Sequence, residues 1–393
     1  MVEWRETTWG QEVSLEYGKG IRGYADATGP YRVFGSNGPI GWSSEALAQG
    51  PGVILGRKGA YRGVQFSKQP FFVIDTAYYV VPKSEMDMRW LYYAIIYHKL
   101  GEIDDGSPIP STTRAAVYVR DLSVPQLVEQ QAIASVLGAL DDKIELNRRM
   151  NETLEATARA IFKDWFVDFG PTRAKKGSGV PYLAPDVWSL FPDNFDDDGK
   201  PKGWKIGTLG QNMVNFDSKR VPVSGSERAK RQGPYPYHGA TGVMDHVDGY
   251  LFDGIYLLVG EDGSVVKENG LAFTQYAWGK IWVNNHAHVL QGVGSVSTEQ
   301  LWMYFQFEPV APYITGAVRL KLSQGRMNSM QFIDTGPEVR EAFSNVTAPL
   351  FAQLRGNSDE IKTLAATRDL LLPKLMSGAV RVKEAERLAG DAA

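Results

Sequence analysis

The chain contains no cysteine. Disulfides and thiolate metal sites are therefore excluded. No stretch reaches about 18 consecutive apolar residues, so no segment is expected to span a membrane. The N-terminus lacks a basic segment followed by an apolar run, so no secretory leader is expected and the location should be cytoplasmic. There is no large excess of charge: 42 Lys and Arg against 45 Asp and Glu leave a net charge of −3, which by itself argues for no polyanion partner. An N-P-P-[YF] run, a G-x-G-x-x-G after a strand-like run and a P-loop are all missing. A built-in methyltransferase or an ATP site is therefore not expected. Histidine is scarce, at five residues. His286 and His288 stand at i,i+2 on a strand-like run, but such pairs more often pack or hydrogen-bond than ligate, so neither metal nor cofactor is expected. Asp141-Asp142-Lys143 has the form of a nuclease fragment, yet it falls on a heptad helix and reads as a solvated face.

What the chain does have is 393 residues, 43% apolar, with 41 glycines and 21 prolines. That length suggests two domains, each able to bury a core. The two are copies. Trp4, Arg5, Thr8, Gly10 and Gln11 align with Trp204, Lys205, Thr208, Gly210 and Gln211. Gly29-Pro30-Tyr31 aligns with Gly233-Pro234-Tyr235, and Val53 to Gly56 with Leu257 to Gly260. Thr153-Leu154 aligns with Thr363-Leu364. The offset drifts from about 200 to about 210, as loop insertions would cause. Within each copy, short β-branched and aromatic runs alternate with turn signals, and one short apolar helix is expected around Trp90 to Leu100 and around Glu299 to Phe307.

Each copy ends in a long helix with coiled-coil spacing. Leu140, Ile144, Asn147, Asn151, Leu154 and Ile161 continue a seam that begins at Ile133, in alternating steps of four and three. Leu350, Leu354, Asn357, Ile361, Leu364 and Leu371 repeat it, with Asn357 falling on Asn147. A core amide lowers stability but fixes pairing and register, so the expected partner of each helix is its own copy. Ser123 to Gln126 and Thr335 to Glu338 fit capping boxes that would start the helices. Pro349 should interrupt the second helix and Pro373 should end or kink it. A Pro- and Gly-rich connector, with one helical turn near Asp186 to Phe191, is long enough to carry the chain back along the first helix. The expected organisation is a domain over 1–122, a helix over 123–169, a linker over 170–203, a second domain over 204–335, a helix over 336–378 and a tail over 379–393.

Several of these stretches together resemble one family. Pro125 to Ala134 has the form P-x-L-x-E-Q-x-x-I-A. Leu140 to Asn147, Trp165 to Phe169 and Arg368 to Gly378 are similar to the middle and end of the same conserved helices, and both copies open with a W-K-x-G-x-L-G-like run. The family is that of the DNA-specificity subunits of type I restriction–modification systems. The resemblance implies an α+β fold: two similar α/β target-recognition domains separated by a long antiparallel two-helix coiled coil, as a pseudo-two-fold internal repeat. It implies a non-catalytic subunit that reads a bipartite, asymmetric sequence in double-stranded DNA. It also implies two adenine methyltransferase subunits as partners, which restriction (translocase and nuclease) subunits can join. The second helix departs from the pattern, with Glu338-Val339-Arg340-Glu341 where the E-Q-x-x-I-A start would stand.

On that reading the DNA-facing residues lie in loops. The candidates in the first copy are Ser36 and Asn37, then Arg57, Lys58, Tyr61 and Arg62, then Thr112, Thr113 and Arg114. In the second they are Lys219 and Arg220, His238 and Thr241, Asp262 and Ser264, and Arg326, Asn328 and Ser329. Arginine can read guanine and asparagine adenine, while hydroxyls serve phosphate or base. Residues 1–124 hold 13 basic and 13 acidic side chains, and residues 203–342 hold 12 and 13. Neither copy has the basic excess of a solitary DNA binder. A structural adaptor with peptide- or glycan-binding domains is the alternative reading; a nuclease has no residue constellation behind it.

Overall fold

The computed structural model describes residues 4–104, 106 and 108–390. The chain divides into two compact units, Met1–Arg148 with Asp359–Ala393, and Arg149–Ser358. Each unit therefore holds one copy of the mixed domain and a stretch of both long helices. No helix among the described residues is long and apolar enough to cross a membrane.

In the first unit, Val13–Tyr17, Ala77–Pro82, Gly52–Gly56 and Val64–Ser67 form a four-stranded antiparallel sheet in that order. A second sheet orders Gly38–Ser43, Tyr31–Gly35 and Phe71–Val73, the last pair parallel. The second unit repeats these pairings in one six-stranded sheet. The reason is local. Thr274–Val283 runs ten residues without a break, and Gly279, at φ +75°, lets its backbone continue. The matching stretch of the first unit holds Lys68, Gln69 and Pro70, and proline has no N–H for a central ladder. The strand is split into Val64–Ser67 and Phe71–Val73. The repeat extends to register: Leu55 faces Val64 as Val259 faces Thr274, and Val33 and Phe72 sit as Tyr237 and Trp282 do.

The first long helix runs Leu127–Phe162 and continues as a π-helical turn, Lys163–Val167. It starts later than the expected cap. Ser123 lies in the strand Asp121–Val124, paired with Glu6, and its hydroxyl donates to the Glu6 carboxylate. The second long helix runs unbroken over Pro337–Met376, so Pro349 and Pro373 neither interrupt nor end it. Both prolines are solvent-exposed. Each costs a hydrogen bond on the outer face, while Phe343, Phe351, Leu354, Leu371 and Leu375 are buried on the inner face and hold the turns on either side.

Within the first unit, Leu137, Leu140 and Ile144 bury against Leu364 and Leu371 in one core with Trp9 and Trp90. Burying an apolar side chain of this size contributes roughly 1.5–3 kcal/mol. Asp141 pairs with Arg368 and Lys143 with Glu360, so partners fall in number as the first helix rises. The two segments are antiparallel. Asp142 receives Lys68 and Arg89, and Arg89 beside it helps hold its carboxyl down at about 2. Asp142 is exposed and Asp141 and Lys143 are half-buried, so the expected solvated face is present, and all three carry ion pairs on it. In the second unit, Ala158 and Phe162 share a core with Phe343, Phe351 and Leu354, with Ile161, Leu154 and Leu350 packed at its edge.

The connector does not run back along the first helix. It folds as two short helices, Gly170–Lys176 and Pro185–Ser189. Phe191 packs on Trp165, and Trp204 on Phe166 and Phe169. Its aromatics bury best where the helix ends. Within the expected tail, Val382–Gly390 is a helix whose Ala385 is fully buried in the first unit.

Candidate nucleic-acid interface

The loops singled out in the first copy converge. The Gly63 amide donates to the Ser36 carbonyl, the Thr112 amide to the Arg57 carbonyl and the Gly59 amide to the Pro110 carbonyl. Lys58 and Ser111 form an isolated antiparallel bridge. Three segments distant in sequence thus meet at one edge. Several candidates hold that edge together. The Ser36 hydroxyl donates to the Thr76 carbonyl at 2.5 Å. Arg62 spends its guanidinium on the carbonyls of Gly59, Gly101 and Ile103. Thr112 is fully buried, and its hydroxyl lies 3.3 Å from the Leu100 carbonyl. Thr113 caps the short helix Arg114–Tyr118 by accepting from the Ala116 amide. Asn37, Lys58 and Tyr61 are exposed, Tyr61 at 78%.

Behind this rim lies a cation–aromatic group. Arg57 and Arg114 stack on the Tyr17 ring, at 4.8 and 4.3 Å. Arg114 also donates to the Leu15 carbonyl, and Arg57 to that of Asp75. Tyr17 stands opposite Tyr78, whose hydroxyl is pushed up to about 12 by burial and by the Tyr17 neighbour.

In the second copy the loop that carries Asp262 meets the segments around His286 and Lys321. The Gly263 amide donates to Leu320, the Leu322 amide to Glu261, and the Glu261 amide to His286, while Asp262 and Lys321 form a bridge. Here the group behind the rim is ionic. His288 Nδ1 lies 2.5 Å from Asp217 and its Nε2 2.8 Å from the Leu322 carbonyl. Arg220 donates to Glu261 at 2.7 Å and to the Ala287 carbonyl at 2.6 Å. Burial pushes the Asp217 carboxyl up, but hydrogen bonds from His288, the Val289 amide and Asn215 outweigh it and leave a net depression. Asp217, Glu261 and His288 could face a metal, their ligand atoms lying within 4.8 Å of one another. The Arg220 guanidinium already sits among them, 3.4 Å from Asp217, so the positive charge there comes from the protein. His286 belongs to a different group, on Asp262 with Arg319.

His238 is buried against Gln275, and Asn328 packs under Gly210. Ser329 donates back to the Arg326 carbonyl. Lys219, Thr241, Ser264 and Arg326 are exposed. Tyr17, Asp217, Arg319 and Lys321 were missed from sequence. The repeat offset was the available signal, since it lays Tyr17 and Tyr78 over Asp217 and His288.

Where the helices pair, all three seam amides, Asn147, Asn151 and Asn357, are committed. Asn147, 2% exposed, donates to Glu360 at 2.6 Å. Asn151 accepts from Asn357 at 2.9 Å and donates to Ser358, while Asn357 accepts from Gln353. Asn357 thus faces Asn151, not its aligned copy Asn147, because antiparallel pairing sets each position against the one four residues on. Ile361 occupies the seam position aligned with Asn151, so Asn147 takes a charged partner instead.

Comparison with known proteins places this architecture. Residues 28–156 match the type I restriction modification DNA specificity domain. The chain is 23% identical over 364 residues to the type I restriction enzyme MjaIX specificity subunit of Methanocaldococcus jannaschii, covering 84% of this chain and 78% of that protein. It is 23% identical over 376 residues to the HindI specificity subunit of Haemophilus influenzae, covering 79% and 81%. A type I restriction–modification S subunit from M. genitalium shares the fold, with a TM-score of 0.58 at 15% identity over 95% of this chain and 96% of that one. The chain is thus similar to type I specificity subunits over most of its length.

Proposed function

We propose that this chain, similar to the type I specificity subunits, reads a bipartite, asymmetric DNA target, one half with each unit, and brings adenine methyltransferase and restriction subunits to it. The observation behind this reading is the convergence of three loops in each unit on one edge, with different exposed side chains in the two. Two readers of unlike half-sites need a shared frame and unlike rims. Asn37, Lys58, Tyr61 and Arg326, with Lys219, Thr241 and Ser264, contact bases and phosphates. Ser36, Arg62, Thr112, Arg220 and His238 shape the loops that present them. The chain itself carries out no chemistry.

The paired helices act as a two-helix coiled coil whose length sets the spacer between half-sites, and the Asn151–Asn357 pair fixes its register. A four-residue insertion after Asn147 adds roughly 6 Å at 1.5 Å per residue and should lengthen the spacer. Methyltransferase partners supply most phosphate contacts, because neither unit has a basic excess.

Methylome sequencing of cells carrying the chain with its methyltransferase tests the reading. The expected result is one motif with two halves, an adenine modified in each, and a fixed spacer that lengthens with the insertion. A single contiguous motif would sink the two-reader idea. Nanomolar site-specific binding by the isolated chain would contradict the assignment of phosphate contacts to the partners.

A further inference from the structure

The second unit contains a cavity of about 150 Å³ with no role in the reading above. Its walls include Phe162, Phe166, Phe307, Phe332 and Tyr304, with Glu308 at one side. Phe162 and Phe307 stack nearly parallel, 5.6 Å apart. Gln300 also lines it, 1% exposed, and its Oε1 has no hydrogen-bond partner among the described residues. No protein group donates to this acceptor, and a buried acceptor left without a donor costs about 1–3 kcal/mol.

The other unit shows what fits such a place. Ser297 caps the short helix Thr298–Tyr304 as Asp87 caps Met88–Tyr97. Gln300 and Trp90 are both three residues past the cap, and both point into a core. In the first unit a fully buried indole fills the position, beside Ala94 one turn on. In the second, Gln300 is smaller and Tyr304 replaces the alanine. The Tyr304 hydroxyl is tied to the Gln331 carbonyl at 2.7 Å and is not available to Gln300. The exchange leaves a gap with aromatic walls and one free acceptor.

The geometry points to a binding site for a free, planar aromatic molecule of about indole size that carries one N–H or O–H donor. The ring lies among Phe162, Phe307 and Phe332, and a turn of the Gln300 amide, whose Oε1 is sealed as it stands, brings that oxygen onto the donor. An enclosed apolar cavity of this volume accepts a benzene ring, and this one, with Gln300, Glu308 and Gln331 in its lining, adds polar groups for a donor.

Titration of the full chain with indole, followed by calorimetry and by the melting temperature, tests this. Indole should bind saturably at one site and raise the melting temperature. 1-Methylindole, which lacks the donor, should bind about three- to ten-fold more weakly, the range expected for one hydrogen bond. Gln300→Trp should abolish indole binding by filling the gap. Gln300→Leu keeps the volume and should make the two ligands bind alike, which decides the matter if the tryptophan variant fails to fold. Absence of saturable indole binding overturns the proposal, as does undiminished binding by Gln300→Trp. Binding of N-acetyltryptophanamide but not of indole would assign the cavity to a side chain of another protein and likewise overturn it.

Discussion

In the unit that begins the chain, the position where Tyr17 faces Tyr78 is closed by two guanidiniums lying on a phenol ring. In the other unit the corresponding residues are Asp217 and His288, closed by Arg220 and Glu261 in a buried ion network. Arg57 of one copy becomes Glu261 of the other. The strand register is unchanged around them. The same loop edge can thus be secured by aromatic cation stacking or by hydrogen-bonded charge. The two differ in how they fail. Stacked, partly exposed groups lose little when one member goes. A buried ion network loses much, because the partner left behind is an uncompensated charge.

The largest expected effect follows from that difference. Asp217→Ala strands His288, whose side chain is 1% exposed, together with Arg220. We expect a loss of about 3–5 kcal/mol, read by urea unfolding followed by tryptophan fluorescence. The same residue gives the second unit an acid limb. Its folded pKa lies below the ordinary 3.8, so its contribution is full above that value and disappears as pH falls through the folded value. Asp217→Asn should flatten that limb. An unchanged acid midpoint would mean that the network does not secure this unit.

The helix amides offer a second comparison. Asn357→Leu leaves Asn151 with an unmet carbonyl and should cost about 1–3 kcal/mol. Joining it with Asn151→Leu should recover most of that loss in thermal melts, since replacing both partners is nearly neutral. If register depends on the pair, the double variant should also recognise a less sharply defined spacer in methylome data. Asn147 should behave differently, since its partner is Glu360, itself held by Lys143.

How much of this was legible in the sequence follows from the range of each interaction. The duplication, the seam and the loop candidates rest on spacing, which local chemistry dictates. The fate of individual side chains does not. Arg62 looked like a reader because arginine in a glycine-rich loop is one pattern for it. Its three carbonyl partners come from Gly59 and from residues some forty positions away. The prolines misled for a similar reason: the local rule ends a helix, and the packing of Phe343 and Phe351 overrides it. The connector was read as a span because its prolines and glycines are local, while the burial of Phe191 against Trp165 is not.

A smaller effect sharpens the opening contrast from the other side. Tyr17 is 46% exposed, and stacking of a cation on an exposed ring is worth about 0.5–1 kcal/mol. Tyr17→Leu keeps apolar bulk and should cost no more than about 1–2 kcal/mol for the two guanidiniums together. A loss equal to that of Asp217→Ala would erase the distinction between the two devices.

The smallest effect lies on the rim itself and is electrostatic. Lys58 of the first unit aligns with Asp262 of the second. Lys58 is exposed, whereas Asp262 holds Arg319 at 2.8 Å. If Lys58 meets one phosphate, Lys58→Ala should weaken binding uniformly across sequences and lower the slope of log K against log salt by about one. Asp262→Ala removes a carboxylate that repels phosphate and releases Arg319 toward the DNA. Its slope should rise by a similar amount, at the cost of the bonds Asp262 makes to both His286 and Arg319. Both slopes are read by filter binding with the methyltransferase subunits present. Opposite signs from aligned positions would show that the two rims reach the backbone by different residues, and equal signs would mean that at least one of them does not face DNA.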